Sequence, residues 1–154
     1  SGKTTFMRLI RSAFKTFVGH LYVAEFSSFY LDQEYSLLDD EKTLVEQLQQ
    51  YNKLALPEHE LKTFLHRHQF PYSVWDKKCK DLSGGEKMKL LLCCMSISND
   101  AIDVLLLDEP TNNIDIYSQE ILTNVTKNYQ GTIVVVSHDS YFVNQIGINK
   151  EIRL

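Results

Sequence analysis

The sequence has little with which to cross-link itself. Its cysteines are Cys79, Cys93 and Cys94, and their odd number and spacing suit neither a disulfide framework nor a metal site. That excludes a disulfide-stapled small domain and predicts a reducing, cytoplasmic compartment. Cys93 and Cys94 lie in an apolar run and read as small core residues. No apolar run approaches the roughly 18 residues a membrane-crossing helix needs, so direct insertion into a bilayer is not expected. No signal-peptide pattern is visible. Basic residues are not in excess: the net charge is −4, which gives no support for broad electrostatic binding of nucleic acid. Internal repeats and low-complexity segments are missing too. His59, His66 and His68 have no acid or cysteine to complete a metal set, and read as surface or core residues. What remains is ordinary for one globular domain with a sizeable core: 154 residues, 44% hydrophobic and 23% charged.

The chain is organised around Val104 to Asp115, VLLLDEPTNNID. The aliphatic run Val104–Leu107 does not alternate with polar residues, so it predicts a strand buried on both faces, as in a parallel sheet. Ligands of such sheets sit beyond the carboxyl ends of the strands, where Asp108 and Glu109 fall. Pro110 is expected to stop the strand and to hold Glu109 extended. Two acids at a buried strand end are costly without partners, and Mg2+ with a water-mediated phosphate is the usual pairing. Two solvated acids at a strand end are the alternative that this segment alone leaves open.

Ser1-Gly2-Lys3-Thr4-Thr5 matches the back half of the phosphate-binding pattern GxxxxGK[ST]. In that pattern backbone N–H groups cradle phosphates, the lysine reaches the β and γ phosphates, and the hydroxyl binds Mg2+. By itself SGKTT fits a free N-terminus equally well. A chain that begins inside a motif is expected to be a piece cut from a longer protein. A helix is predicted over Phe6–Ile10. Leu21 to Leu31 is aromatic and β-branched and predicts one or two strands, with Gln33 directly after. Gln33 is either a loop residue or a contact to Mg2+ and the attacking water, and spacing does not decide between them.

From Asp39 to Ile97 the texture becomes helical. Asp39 and Asp40 are placed to cap a helix through about Gln50, with Leu44, Leu48 and Tyr51 on one face. Pro57 and Glu58 open another, with Leu61, Phe64, Leu65 and His68 aligned. Trp75, in a short link near Pro71, reads as core. Leu82 to Lys87, LSGGEK, contains a capping box, Ser83 with Glu86, ahead of an apolar helix from Met88 that should be buried. Capping accounts for the serine and the glutamate. It does not account for Gly84 and Gly85, which cost about 1 kcal/mol each relative to alanine inside a helix. Glycines at a positive helix end suit a close-approaching phosphate. Beyond Asp115 a helix is predicted from Ile116 to Asn128, with Ile121, Leu122, Val125 and Tyr129 inward and Gly131 as its stop. Thr132 to Val136, TIVVV, predicts a second buried strand, and Ser137, His138 and Asp139 lie at its carboxyl end. His138 is placed either to touch a γ-phosphate or to cap the helix through Ile146. Lys150 to Leu154 would add an edge strand.

In order, GKT, Gln33, LSGGE, LLLDEP and SHD resemble the ATP-binding cassette (ABC) family along the whole chain. The resemblance implies an α/β, P-loop NTPase-like cassette core, N-terminally truncated, with an inserted helical subdomain. The core would comprise about residues 1–35 and 100–154, and the subdomain about 36–99. It implies that Ser1, Gly2, Lys3, Thr4 and Thr5 belong to the Walker A loop and bind ATP, and that Gln33 is the Q-loop glutamine. Leu82 to Glu86 would be the signature, with Ser83, Gly84, Gly85 and Glu86 as nucleotide contacts. Val104 to Glu109 would be Walker B, Asn112 to Asp115 the D-loop, and His138 the switch histidine. Thr4, Gln33 and Asp108 would hold Mg2+. Glu109 would act as general base, and His138, also catalytic, would contact the γ-phosphate side together with Gln33.

Within the family the chain looks like the F subfamily, which lacks membrane domains and acts on ribosomes. Glu86 in LSGGE, the DEPTNNID string and SHDSYF carry that likeness. The short interval from Gln33 to Leu82 leaves little room for an extra inserted arm and fits a second cassette. The resemblance implies a Mg-dependent ATPase whose site is completed by a second cassette, with Ser83, Gly84 and Gly85 reaching the partner's nucleotide. Its outputs would be translation or antibiotic resistance at the ribosome. The alternative is the nucleotide-binding subunit of a membrane transporter, docked on a permease.

Overall fold

The computed structural model describes residues 2–10 and 25–152. Ser1, the expected strand residues Leu21 to Ala24, and Arg153 and Leu154 of the expected edge strand lie outside the described residues. Helix α1 covers Gly2–Ile10, so it begins at the GKT motif itself rather than at Phe6. Strand β1 covers Ser28–Leu31, and residues 25–27 ahead of it are not in a strand. Helices α2 (Leu44–Tyr51), α3 (Glu58–Arg67) and α4 (Gly84–Ser98) follow, with short 3-10 turns at Tyr72–Val74 and Cys79–Asp81. Strand β2 covers Val104–Asp108, helix α5 Ile116–Asn128, strand β3 Thr132–Val136 and helix α6 Ser140–Ile146. No strand forms over Lys150–Ile152.

Among the described residues the strands form one parallel sheet in the order β1-β2-β3. Each connection is a crossover through helices, as parallel pairing requires. Strand β2 is central and its Leu105, Leu106 and Leu107 are fully buried, as an unbroken aliphatic run predicts. Alternation splits the sheet into two faces. Phe29, Leu31, Leu105 and Leu107 face a large cluster with Leu44, Leu48, Leu61, Leu65, Phe70 and much of α4. Tyr30 and Leu106 face the other way, against Met7 of α1. The main cluster runs without a break from the sheet into the helices of residues 36–99.

Several local expectations give way to better-satisfied alternatives. Asp39 and Asp40 do not cap α2; Thr43 does, in a capping box with Glu46, and that box satisfies two helix-end N–H groups at once. Asp39 instead accepts from the Glu41 N–H at 3.0 Å. Gly131 does not terminate α5, because Tyr129 already leaves the helix in an extended conformation. A Cβ on Gly131 would come within 2.7 Å of the Tyr129 ring and 2.8 Å of the Asp103 carbonyl oxygen, so close packing is what calls for glycine. Strand β3 is half-buried rather than enclosed, since it pairs only with β2 among the described residues. Helix α4 does bury its apolar circumference, from Met88 through Ile97. It ends at Asn99, in the left-handed conformation that asparagine tolerates well (φ 51°). Within it Cys93 is pushed up to about 12 by burial, and Cys94 is also raised by burial, so both remain neutral core thiols.

Candidate active site

The carboxyl ends of the parallel strands gather residues from distant parts of the sequence. Asp108 closes β2 opposite Val136, and His138 follows two residues beyond that pair. Asp108 is 5% exposed. Its Oδ2 accepts a hydrogen bond from the Tyr30 hydroxyl at 3.1 Å. Burial first, and the Asp108 carboxylate second, push the Tyr30 hydroxyl up to about 12. It therefore stays a proton donor to Asp108 at any physiological pH.

Glu109 departs from expectation. Its backbone adopts φ 49°, in the left-handed region, rather than an extended conformation. Pro110 favours an extended conformation for the residue before it, but β2 ends in a tight turn closed by the Asn112 N–H on the Glu109 carbonyl at 3.1 Å, and Glu109 is held left-handed against that preference. Such a conformation costs a non-glycine residue about 1–3 kcal/mol, and strain of this kind collects at functional sites. The Glu109 N–H is held by the Val136 carbonyl at 2.7 Å. Its carboxylate is held by His138: Oε2 accepts from the His138 main-chain N–H at 3.1 Å. Glu109 Oε1 lies 3.2 Å from the His138 Nε2. One oxygen is thus fixed by the backbone and the other faces the imidazole.

Lys3 reaches the same imidazole from α1. Its Nζ lies 3.4 Å from His138 Nε2. The two contacts of Nε2 require opposite protonation. An Nε2–H donates to Glu109, whereas a bare Nε2 accepts from the Lys3 ammonium. Only one can be a hydrogen bond at a time, so the His138 ring is left undercommitted. It is also 77% exposed, while Glu109 is 15% exposed. His138 does not cap α6: Asp139 does, accepting from the Phe142 N–H at 3.0 Å. Asp139 also accepts from Gln119 of α5 at 2.8 Å, which anchors the histidine loop to that helix.

The remaining expected residues are placed less centrally. Gly2 and Thr5 sit exposed on the first turn of α1, and a Cβ on Gly2 would meet open space. Thr4 is in the same helix; Ser1 lies outside the described residues. Gln33 is exposed in the turn after β1 and makes no hydrogen bond to Lys3, Asp108, Glu109 or His138. Ser83, Gly84, Gly85 and Glu86 begin α4, and no hydrogen bond or ion pair joins them to that group. Ser83 Oγ accepts from the Glu86 N–H at 3.2 Å, and Glu86 Oε2 accepts from the Ser83 N–H at 2.8 Å. The two glycines have a packing reason that the sequence did not reveal. A Cβ on Gly84 would stand 2.8 Å from the Asn113 carbonyl oxygen, and one on Gly85 would stand 2.5 Å from Ser118 Oγ. The signature loop thus docks on residues 113–118 of its own chain. Tyr30 is the residue that sequence reasoning missed. Its only signal was a tyrosine between Phe29 and Leu31, three residues before Gln33.

A family profile described as ABC transporter matches residues 1–112. The chain is 34% identical to ABC transporter F family member 5 of Arabidopsis thaliana, across 99% of this chain and 22% of that protein. It is 37% identical to the putative ATP-binding protein YdiF of Bacillus subtilis (strain 168), across 94% of this chain and 22% of that protein. It is 32% identical to the ATP-binding protein Uup of Escherichia coli (strain K12), across 93% of this chain and 23% of that protein. The chain therefore spans under a quarter of the length of these relatives. Its fold matches a post-hydrolysis dimer of the ATP-binding cassette MJ0796 bound to ADP and Pi, with TM-score 0.68 at 19% identity over 94% of this chain and 73% of that one. It also matches RNase-L Inhibitor, with TM-score 0.69 at 24% identity over 94% of this chain and 28% of that one. The chain belongs to the ABC family, and its curated relatives include F-family and Uup proteins.

Proposed function

We propose that this chain is an ATP-binding cassette that binds Mg-ATP at the carboxyl ends of its sheet and hydrolyses it when paired with a second cassette. The observation that carries the proposal is the line from Lys3 Nζ through His138 Nε2 to the Glu109 carboxylate, beside the buried Asp108. Lys3 stands at the first turn of α1, where the helix end and the ammonium both favour a phosphate. A γ-phosphate would draw Lys3 from His138, leaving Nε2–H to donate to the phosphate rather than to Glu109. Glu109 Oε2 is tied to the backbone, so Oε1 is the oxygen that takes the proton of the attacking water. Asp108, with one oxygen already hydrogen-bonded by Tyr30, offers the hard oxygen donor that Mg2+ selects. Thr4 and Gln33 would join it. The bound ion would neutralise charge on the β and γ phosphates. Gly2 and Thr5, with Ser1, would line the loop, and Ser83, Gly84, Gly85 and Glu86 would face the nucleotide of the partner cassette. Residues from about 36 to 99 would form the inserted helical subdomain.

We favour a cytoplasmic factor working on the ribosome over a transporter subunit because the F-subfamily resemblance implies it, and an F-family member is among the relatives. Glu109→Gln in the intact protein should keep ATP binding, lower hydrolysis by about 10²–10⁴-fold and hold the ATP-bound closed form. Parental hydrolysis by that variant would show that Glu109 is not the base. The trapped variant should co-sediment with ribosomes; recovery with a membrane permease instead would favour transport.

A further inference from the structure

Tyr30 belongs to none of the motifs. It is 4% exposed and lies on the face of the sheet turned toward α1, with Met7 and Leu106. In register it pairs with Leu106, so Asp108 is its diagonal neighbour one pleat further along β2 on the same face. Diagonal neighbours are about 7–8 Å apart, a gap that only a long side chain closes. The phenol closes it, and its hydroxyl stands 3.1 Å from Asp108 Oδ2. No other hydrogen bond among the described residues reaches the Asp108 carboxylate. A carboxylate 5% exposed needs such a donor, because an uncompensated buried oxygen is costly.

We infer that Tyr30 is the positioning residue for Asp108: its hydroxyl holds Oδ2 against the sheet and leaves Oδ1 turned to accept a divalent cation. The inference rests on the Mg-ATP site proposed above. Outer-shell donors of this kind fix the orientation of a metal-binding carboxylate, and their loss typically weakens metal affinity about 10–100-fold. Rings of tyrosine and phenylalanine have the same shape, so Tyr30→Phe removes the donor while leaving the contacts with Met7 and Leu106.

The test is equilibrium binding of ATP to the intact protein as a function of free Mg2+, repeated with Mn2+ and in EDTA. Tyr30→Phe should shift the cation midpoint upward about 10-fold or more and leave metal-free ATP binding within about 2-fold of the parent. Leu106→Ala, which loosens the same face without touching a polar group, should lower thermal stability and leave the cation midpoint in place. In an Asp108→Asn background, Tyr30→Phe should add no further shift, and this arm also decides the matter if the single variant is unstable. An unchanged midpoint in Tyr30→Phe, or an equal shift in the Asp108→Asn background, would overturn the inference. If the parent protein itself showed no cation-dependent ATP binding, the Mg-ATP site would fail instead, so the two failures are distinguishable.

Discussion

The strand ends around Asp108 and the signature loop around Ser83 carry the two strongest motifs, yet they are built in opposite ways. In the signature loop Ser83 and Glu86 cap each other, and in the segment it packs on Asp115 accepts from the Ser118 N–H and hydroxyl, both at 2.8 Å. Gly85 is sealed against Ser118 and Asp115. At the strand ends the groups are only half-committed. His138 is solvated and shared between a cation and an anion, and Glu109 sits in a strained conformation. The first is a construction that supports a surface; the second holds chemistry in reserve for a ligand. Motif strength alone would not have separated them, but counting who bonds to whom does.

Variants at the two places should therefore fail differently. His138→Ala should cost the most in rate, about 10²-fold or more in ATP hydrolysis by the intact protein. Because the ring is exposed, its unfolding free energy should move by less than about 0.5 kcal/mol in urea titrations. A large loss of stability there would erase the contrast. Gly85→Ala should instead cost stability as well, about 1–3 kcal/mol, since Ser118 and Asp115 must move to admit a methyl group. Ser83→Ala, which removes the α4 cap, should cost about 1 kcal/mol by the same measurement. The smallest effect is pH-dependent. The Ser118 main-chain N–H, followed by its hydroxyl, holds the Asp115 carboxyl below its ordinary value. A depressed folded pKa stabilises above the unfolded value, near 3.9, and that stability drains away as pH falls through the lower folded value. Asp115→Asn still caps α5 but lacks the ionised carboxylate, so it should be slightly less stable than the parent at pH 7, with the difference vanishing at acid pH and the acid arm of the pH–stability curve flattened.

How much of this was legible beforehand depended on how local the cause was. The buried β2, the span of α5, the capping box of Ser83 and the opening of α3 at Pro57 each follow from residues within one turn or one strand, and each appears as the sequence suggests. Errors came where two local signals competed or where the decisive partner was remote. Asp39 and Asp40 lost the α2 cap to Thr43, because Thr43 has a glutamate three residues on and they do not. Glu109 departs from expectation because the turn after β2 overrides the extended preference that Pro110 sets. Gly84, Gly85 and Gly131 answer to Asn113, Ser118 and Tyr129, contacts that no reading of LSGGE or QGT contains. The Lys3–His138 approach spans 135 residues of sequence, and only the order of the motifs pointed to it. The ATP, Mg2+, ribosome and second-cassette assignments came from the family resemblance rather than from pattern or spacing.

The most direct measurement is a crystal structure of the intact Glu109→Gln protein with Mg-ATP. The account predicts the γ-phosphate within hydrogen-bond distance of Lys3 Nζ and His138 Nε2, with the 3.4 Å contact between those two atoms broken and the cation on Asp108. A nucleotide bound elsewhere, with the Lys3–His138 contact intact, would contradict it.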